Sequence, residues 1–371
     1  MNGGMSPANR ITHHLGAAGP GSPPAPRWTP PPLTAAGTAS TQASAAPSSA
    51  VELVGVTKRF GTAPALDELD LSVPTGSITV LVGPNGAGKT TAIRTMTGAL
   101  TPEHGIVRTF GLDPDLDGRR VRQRCGVVSA KPALYDRLSG TDNLRYAAEL
   151  YGLGRHCDDR IRTAAARFGI DHALDKQVGS YSTGMKTRLA LARSVLHEPE
   201  LLLFDEPTAG LDPESSAAVL SLIREMTADG STVVLCTHHL VEAEGLADQV
   251  VMLEDGHALV AGTPEELARH YWPGGLVHFD AEDRTLLRRL EGAPGVVKVD
   301  LHPDGADVVL DDPSLVPDLI AGLTTLGVRL TRVDPHVPTL EDLYFAVRRD
   351  AANHRRLREA NAGAEPLERP R

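Results

Sequence analysis

Ser77-Ile-Thr-Val-Leu-Val-Gly-Pro-Asn-Gly-Ala-Gly-Lys-Thr-Thr-Ala-Ile93 is an apolar, strand-like run that passes through a glycine-rich turn into a helix-forming segment. Within it, Gly83, Pro84, Asn85, Gly86, Ala87, Gly88, Lys89, Thr90 and Thr91 satisfy G-x-x-x-x-G-K-[ST], in the strand–turn–helix context that gives this pattern its meaning. Gly86 and Gly88 let the backbone turn so that its N–H groups face a β-phosphate, and the N-terminus of the following helix adds a field that favours anions. Lys89 would reach the β- and γ-phosphates. Thr90 would offer a hydroxyl to Mg²⁺, a cation that prefers oxygen ligands. Nucleotide binding follows, and the loop alone leaves many nucleotide hydrolases open.

Further along, Leu201-Leu-Leu-Phe-Asp-Glu206 is a second apolar strand, and it ends in two carboxylates at the sheet edge where the phosphate loop also emerges. Asp205 can hold Mg²⁺ through water, and Glu206 is placed to polarise an attacking water. Thr232 to Cys236 and Gln249 to Leu253 are two more short apolar strands, separated by helix-length segments. This alternation predicts an α/β fold with a mostly parallel sheet covered by helices. Helical spacing over about 141–198 (Leu144, Ala147, Ala148, Tyr151, then Leu189, Ala192, Arg193, Leu196) reads as a helical insertion in that sheet. His238 follows the strand at 232–236, where an imidazole can touch a γ-phosphate.

Outside this core the texture changes. Residues 1–50 are rich in Pro, Ala, Ser and Thr without apolar periodicity, and read as a disordered extension. After the Pro273-Gly-Gly275 break, the order strand, helix, two strands, helix, strand (276–279, 281–291, 296–301, 306–310, 313–325, 328–333) matches a small α+β unit of ferredoxin-like type. A last helix is expected from about Leu340, with a flexible tail over 349–371. The domains are thus drawn at 51–271 and 276–348.

Across the 371 residues, 41% are hydrophobic and 23% charged, the balance of a water-soluble globular protein. The apolar runs are strand-sized, well short of the ~20 residues that span a bilayer. The first residues lack the apolar stretch of a secretory signal, and Cys125, Cys157 and Cys236 form no paired framework. A net charge of −10 argues against nonspecific attraction to nucleic acid or anionic lipid. Arg119, Arg120, Arg122 and Arg124 are the one basic cluster, read either as a solvated face or as a docking patch. Consecutive His238 and His239 are expected to point apart, so no structural metal site is assigned.

Tyr181-Ser-Thr-Gly-Met185 followed by Leu189-Ala-Leu-Ala-Arg193 resembles the signature segment of ATP-binding cassette proteins. Asp205-Glu-Pro-Thr-Ala-Gly-Leu-Asp-Pro213 is similar to that family's acidic strand and D-loop, and Thr237-His238 to its switch histidine. The match covers about 51–271. It implies a P-loop cassette that hydrolyses ATP with Mg²⁺, with Lys89, Glu206 and His238 catalytic and Thr90 and Asp205 on the metal. Ser182 and Gly184 sit just before a helix, where a hydroxyl and free N–H groups would form a second phosphate clamp. The family explains it by head-to-tail dimers, in which the signature and D-loop Asp212 of one subunit close on the nucleotide of the other. Phe60 lies where the family stacks an aromatic on adenine; the alternative is a core or turn phenylalanine.

The chain also departs from the pattern. Tyr181, Thr183 and Met185 replace the signature's usual Leu, Gly and Gln, and Ala130 stands where the family carries a glutamine that helps to coordinate Mg²⁺ and senses the membrane partner. The single cassette, the form of the signature and the closing Pro338-Thr-Leu-Glu-Asp-Leu-Tyr344 resemble ATPase subunits of bacterial drug-export and related efflux systems. That resemblance implies a homodimer, or a heterodimer with another cassette, bound peripherally at the cytoplasmic face of the membrane to a separate permease. Two other readings stay open: a soluble cassette ATPase acting on ribosomes or nucleic acid, and a weakly hydrolysing regulatory cassette.

Overall fold

A computed structural model describes residues 49–272 and 274–362. The expected extension over 1–50 lies outside the described residues except for its last two. The described chain divides into two units, one up to Pro264 and one from Glu265 onward. This division falls a few residues before the boundary expected near 271.

In the first unit the elements run β1 (Ser49–Phe60), β2 (Ala63–Pro74), β3 (Ile78–Val82), α1 (Lys89–Met96), β4 (His104–Thr109), α2 (Gly118–Gln123) and β5 (Cys125–Val128). The helical insertion follows as α3 (Gly140–Leu150), α4 (Cys157–Arg167) and α5 (Thr183–Val195). Then come β6 (Leu201–Asp205), α6 (Pro213–Ala228), β7 (Thr232–Thr237), α7 (Leu240–Ala243), β8 (Gln249–Glu254) and β9 (His257–Gly262). Every residue of β3, β6 and β7 is buried, which is why these strands read as continuous apolar runs rather than alternating ones. They belong to a six-stranded sheet ordered β5-β6-β7-β3-β8-β9, parallel throughout except for β9 at its edge.

A second, antiparallel sheet of order β2-β1-β4 was not foreseen in the sequence reading. Its signal is present in β2, where Leu69, Leu71 and Val73 are buried at every second position. Glu68, in the left-handed region at φ 48, breaks that alternation before Leu66. The two sheets share one core: Leu53, Val56, Leu69 and Leu71 meet Leu81, Leu203 and Val234, with Ala92, Ile93 and Met96 of α1 in the same cluster.

The helices of the insertion start where caps permit. Ser139 Oγ accepts from Asp142 N at 3.0 Å to open α3, and Ser182 Oγ accepts from Met185 N at 3.2 Å to open α5. Tyr181 sits beneath them, its hydroxyl donating to the Ala173 carbonyl at 2.6 Å in the interior. A first side-chain carbon on Gly140 would lie 2.4 Å from that hydroxyl, so the tyrosine and the glycine require each other.

From Glu265 the elements are α8 (Pro264–Tyr271), β10 (Gly275–Ala281), β11 (Val296–His302), β12 (Gly305–Leu310), α9 (Val316–Thr325), β13 (Leu330–His336) and α10 (Leu340–Ala362). The sheet is wholly antiparallel, ordered β11-β12-β10-β13. Pro335 falls in β13, an edge strand, where a missing N–H is tolerated. The helix expected at 281–291 is instead a 3₁₀ segment, Arg284–Leu290, squeezed between its cap Asp283 and the left-handed Gly292. The tail expected to be flexible from 349 is helical as far as Ala362. Residues 350–362 are rich in Ala and Arg and contain no proline or glycine, so propensity carries α10 onward. No described helix is long and apolar enough to cross a membrane.

Pro338-Thr-Leu-Glu-Asp342 forms a reciprocal cap for α10. Thr339 N donates to Asp342 Oδ2 at 2.9 Å and Asp342 N to Thr339 Oγ1 at 3.2 Å. His336 Nε2 joins the same carboxylate oxygen at 2.9 Å. This bond holds the imidazole above its ordinary value of 6.5. Burial pushes the Asp342 carboxyl up, but the His336 and Thr339 hydrogen bonds prevail and hold it below 3.8.

Two outcomes follow from these contacts. Tyr181→Phe removes one of the two hydrogen bonds that the buried Ala173 carbonyl accepts, the other coming from Lys176 N at 2.9 Å, and should lower stability by about 0.5–1.5 kcal/mol, read as an earlier unfolding midpoint in urea. The His336–Asp342 pair should stabilise the chain fully between pH 3.8 and 6.5. That contribution is lost as pH rises through the raised histidine value, or falls through the lowered aspartate value. Melting of the full chain against pH should therefore decline on the alkaline side, and His336→Gln should flatten that decline; an unchanged slope would rule the pair out as its source.

Candidate functional site

β3, β6 and β7 are parallel neighbours, with Val82 level with Thr237 and Asp205 level with Cys236. Their carboxyl ends therefore open onto one crevice, the usual ligand position in such sheets. Gly83 leaves β3 where a side-chain carbon would come 2.3 Å from the Leu253 carbonyl oxygen. At Gly88, with φ 105, such a carbon would come 2.5 Å from the Ala65 carbonyl oxygen. Gly86 has φ 88. Glycine is thus demanded by close backbone approach at two loop positions and by left-handed conformation at two.

α1 begins at Lys89, so its first-turn N–H groups have no intrahelical acceptor and face the loop. Lys89 is buried; its Nζ donates to the carbonyls of Gly83 at 2.6 Å and Pro84 at 3.2 Å. Thr90 Oγ1 donates to Asp205 Oδ2 at 2.7 Å. Glu206 bridges Lys89 and His238: Oε1 lies 3.6 Å from Lys89 Nζ and Oε2 2.5 Å from His238 Nδ1. It does so from a left-handed backbone, φ 53, pinned by its N–H on the Cys236 carbonyl at 2.9 Å. Such a conformation costs a non-glycine residue about 1–3 kcal/mol. Burial, and then the Asp205 charge, push the Cys236 thiol well above its ordinary range, so it stays neutral beside these groups.

Lys89, Thr90, Asp205, Glu206 and His238 are thereby brought together: an ammonium, a hydroxyl, two carboxylates and an imidazole beside a ring of backbone N–H groups. The loop and Lys89 suit a phosphate chain, the Thr90–Asp205 pair a hard divalent cation, and Glu206 a water molecule. Phe60 ends β1 with its ring 54% exposed, which excludes the core alternative. It pairs with Ala63, two residues from the Ala65 carbonyl that backs Gly88.

Ser182, Gly184 and Asp212 form a separate cluster. A side-chain carbon on Gly184 would lie 3.7 Å from Ser215 Oγ and 3.9 Å from Leu211. Asp212 opens α6, accepting from Ser215 N at 2.9 Å and Ser215 Oγ at 2.7 Å, bonds that hold its carboxyl below the usual aspartate value. Among the described residues, no hydrogen bond or ion pair joins this cluster to the phosphate loop.

Ala130 is exposed just beyond β5. The last register pair of β5 with β6 is Val128 with Phe204, so Ala130 and Glu206 each follow the carboxyl end of neighbouring strands. Ser129 beside it is turned onto the Lys131 carbonyl at 2.9 Å. One contact carried no sequence signal: Thr208 Oγ1 donates to Glu242 Oε2 at 2.5 Å, tying the loop after Glu206 to α7 after His238. One expectation is corrected. The His238 and His239 rings lie 3.9 Å apart rather than diverging, because both follow the end of β7, where strand alternation no longer applies. In the arginine cluster, Arg119, Arg120 and Arg122 are exposed, in line with the solvated-face reading. Arg120 pairs with Asp117, Arg122 donates to the Thr97 and Gly98 carbonyls, and Arg124 grips Glu200 with both ends of its guanidinium at 2.6 Å.

Comparison with known proteins agrees with this geometry. Residues 66–209 match the ABC transporter family. The daunorubicin/doxorubicin resistance ATP-binding protein DrrA of Streptomyces peucetius is 33% identical over 320 residues, covering 85% of this chain and 97% of that protein. The Nod factor export ATP-binding protein I of Rhizobium meliloti is 35% identical, covering 60% of this chain and 67% of that protein. A solved structure of the ATP binding subunit of an ABC transporter superposes with a TM-score of 0.56 at 29% identity, over 60% of this chain and 93% of that one. A phosphate loop, an acidic strand and a switch histidine at one crevice, in a chain that spans nearly the whole of such a relative, make this protein a member of the ABC transporter ATP-binding family, an ATPase of the kind that works with a membrane permease.

Proposed function

We propose that this chain binds ATP with Mg²⁺ as a head-to-tail homodimer and drives export of a small molecule, of drug type, through a separate permease. The observation that carries it is the Glu206 bridge between Lys89 and His238, beside the Thr90–Asp205 hydrogen bond. The two relatives are named for drug resistance and for Nod factor export. The chain acts from the cytoplasmic face of the membrane, held there by the permease. The cassette is residues 51–271; the order β11-β12-β10-β13 with its two helical crossovers supports a ferredoxin-like accessory domain at 276–348.

In this reading Lys89 and backbone N–H groups of residues 85–91 hold the β- and γ-phosphates, and Phe60 stacks on the adenine. Thr90 and Asp205 hold Mg²⁺, which when bound neutralises charge on the phosphates. ATP exchanges Lys89 from its carbonyls onto the γ-phosphate and frees Glu206 to accept a proton from water as that water attacks the γ-phosphorus; the bond to the ADP oxygen breaks. His238 is oriented by Glu206 to contact the γ-phosphate. Ser182, Gly184 and Asp212 of a second copy close the site, which fits their separation from the loop within one chain.

Glu206→Gln removes the base while keeping the size of the side chain. Turnover should fall by a factor on the order of 10²–10⁴, and sizing chromatography with ATP and Mg²⁺ should show a dimer that the unmutated protein forms only transiently. A Glu206→Gln protein that hydrolyses like its parent would sink the assignment.

Ala130 supports slow basal turnover, since a methyl group can hold neither water nor metal. Restoring the amide in Ala130→Gln should speed steady-state hydrolysis about tenfold, equivalent to ~1.4 kcal/mol of barrier, with little change in nucleotide affinity. Brisk hydrolysis by the unmutated chain, unimproved by the substitution, would mean another group does this work. Hydrolysis only after mixing with a different cassette subunit would replace the homodimer with an asymmetric pair.

A further inference from the structure

The polar face of the C-terminal sheet carries a row of residues that nucleotide chemistry does not use. Asp300 of β11 lies opposite Asp307 of β12, Asp307 opposite His278 of β10, and His278 opposite Asp334 of β13. Facing residues share one side of a sheet, and His302, two positions after Asp300, joins them. The outer acids have cations of their own: Lys298 lies 2.6 Å from Asp300 and Arg332 2.5 Å from Asp334. Asp307 has no Lys or Arg partner among the described residues. It meets His278 Nδ1 at 2.8 Å and His302 Nε2 at 3.4 Å instead.

All three side chains are largely buried, 15–22% exposed. Their ligand-capable atoms lie within 4.8 Å of one another. His302 Nε2 is buried and makes no hydrogen bond. Room for the imidazoles comes from Gly305 at the β11–β12 turn, where a side-chain carbon would lie 2.9 Å from His278 Cε1. Bonds of ~2.0–2.2 Å in a tetrahedral zinc site separate neighbouring ligand atoms by ~3.3 Å, and the two contacts to Asp307 bracket that spacing.

We propose that His278, His302 and Asp307 form a binding site for a divalent transition metal of the Zn²⁺ type, distinct from the Mg²⁺ of the nucleotide site. Two imidazoles and one carboxylate suit Zn²⁺ and leave a fourth position for water. Mg²⁺, which prefers six oxygens, does not compete. Binding places the ring proton of His302 on Nδ1 and gives up the long 3.3 Å contact from Asp304 N. The metal pins β10, β11 and β12 through one residue on each strand.

The test is titration of the full-length chain, stripped with chelator and kept in excess Mg²⁺, with Co²⁺ followed by its visible absorption and then displaced by Zn²⁺. One equivalent should bind, equally well to His238→Ala. Loss of a direct ligand should cost at least as much as loss of a supporting residue, so His302→Ala should weaken binding about 100-fold or more. Asp307→Asn, which keeps shape and a neutral oxygen, should weaken it as well without unfolding the sheet. X-ray absorption of the zinc-loaded, unmutated protein should report imidazole and oxygen ligands. No binding in excess Mg²⁺, binding that survives both substitutions, binding lost in His238→Ala, or a sulfur ligand would each overturn the proposal.

Discussion

The Lys89 ammonium is buried, and a buried charge is tolerated only when its hydrogen-bonding capacity is met. Two carbonyls accept its hydrogen bonds and the Glu206 carboxylate, 3.6 Å away, balances its charge, and much of the sheet's arrangement supplies these groups. The carbonyls exist because Gly83 turns the chain directly against Leu253 of β8. The carboxylate exists because β6 ends one strand away and Glu206 accepts a left-handed backbone to reach across. Both depend on the order β6-β7-β3-β8, which only parallel strands with helical crossovers can build. In the proposed reaction, a phosphate that draws Lys89 away from Gly83, Pro84 and Glu206 frees the base as the nucleotide binds.

Legibility followed burial and local chemistry. The loop and the acidic strand were readable because strands buried on both faces leave continuous apolar runs, and because glycines forced by backbone contact cannot be substituted freely. Caps were readable too: Ser182 and Asp212 each precede a helix and each accepts the expected N–H. The antiparallel sheet was hidden because β2 changes phase at Glu68 and starts with the weakly patterned Ala63-Pro-Ala-Leu66. The Thr208–Glu242 bond was invisible for a different reason, since two polar residues 34 positions apart become partners only through tertiary packing. His238 and His239 misled because strand geometry was extended past the end of its strand.

The signature's departures from family pattern look different once packing is known. Tyr181 is not a phosphate group ligand in waiting: its ring is buried, its hydroxyl is committed to Ala173, and Gly140 has given up its side chain to accommodate it. Replacing an aliphatic residue there changes what lies under the α5 N-terminus while leaving the capping hydroxyl of Ser182 in place. Ala130 has no such compensation, because its neighbourhood is exposed and Ser129 is turned onto Lys131. One departure is therefore absorbed by the fold and the other is left at the crevice.

In the proposed dimer, the second side of the nucleotide falls to a second copy. The phosphate loop supplies anion contacts from one side only, and the cluster that could supply the other, Ser182 with Gly184 and Asp212, is occupied with its own neighbours Met185 and Ser215. Asp212 is held ionised by those bonds, so it cannot itself face a phosphate without a cost in repulsion. What it can do is fix the start of α6 beside Gly184, keeping the α5 N-terminus open and its N–H groups outward. In the proposed dimer, Asp212 would then belong to the frame that closes the site, and the hydroxyl of Ser182 and the backbone at Gly184 would be the donors on the second side of the nucleotide.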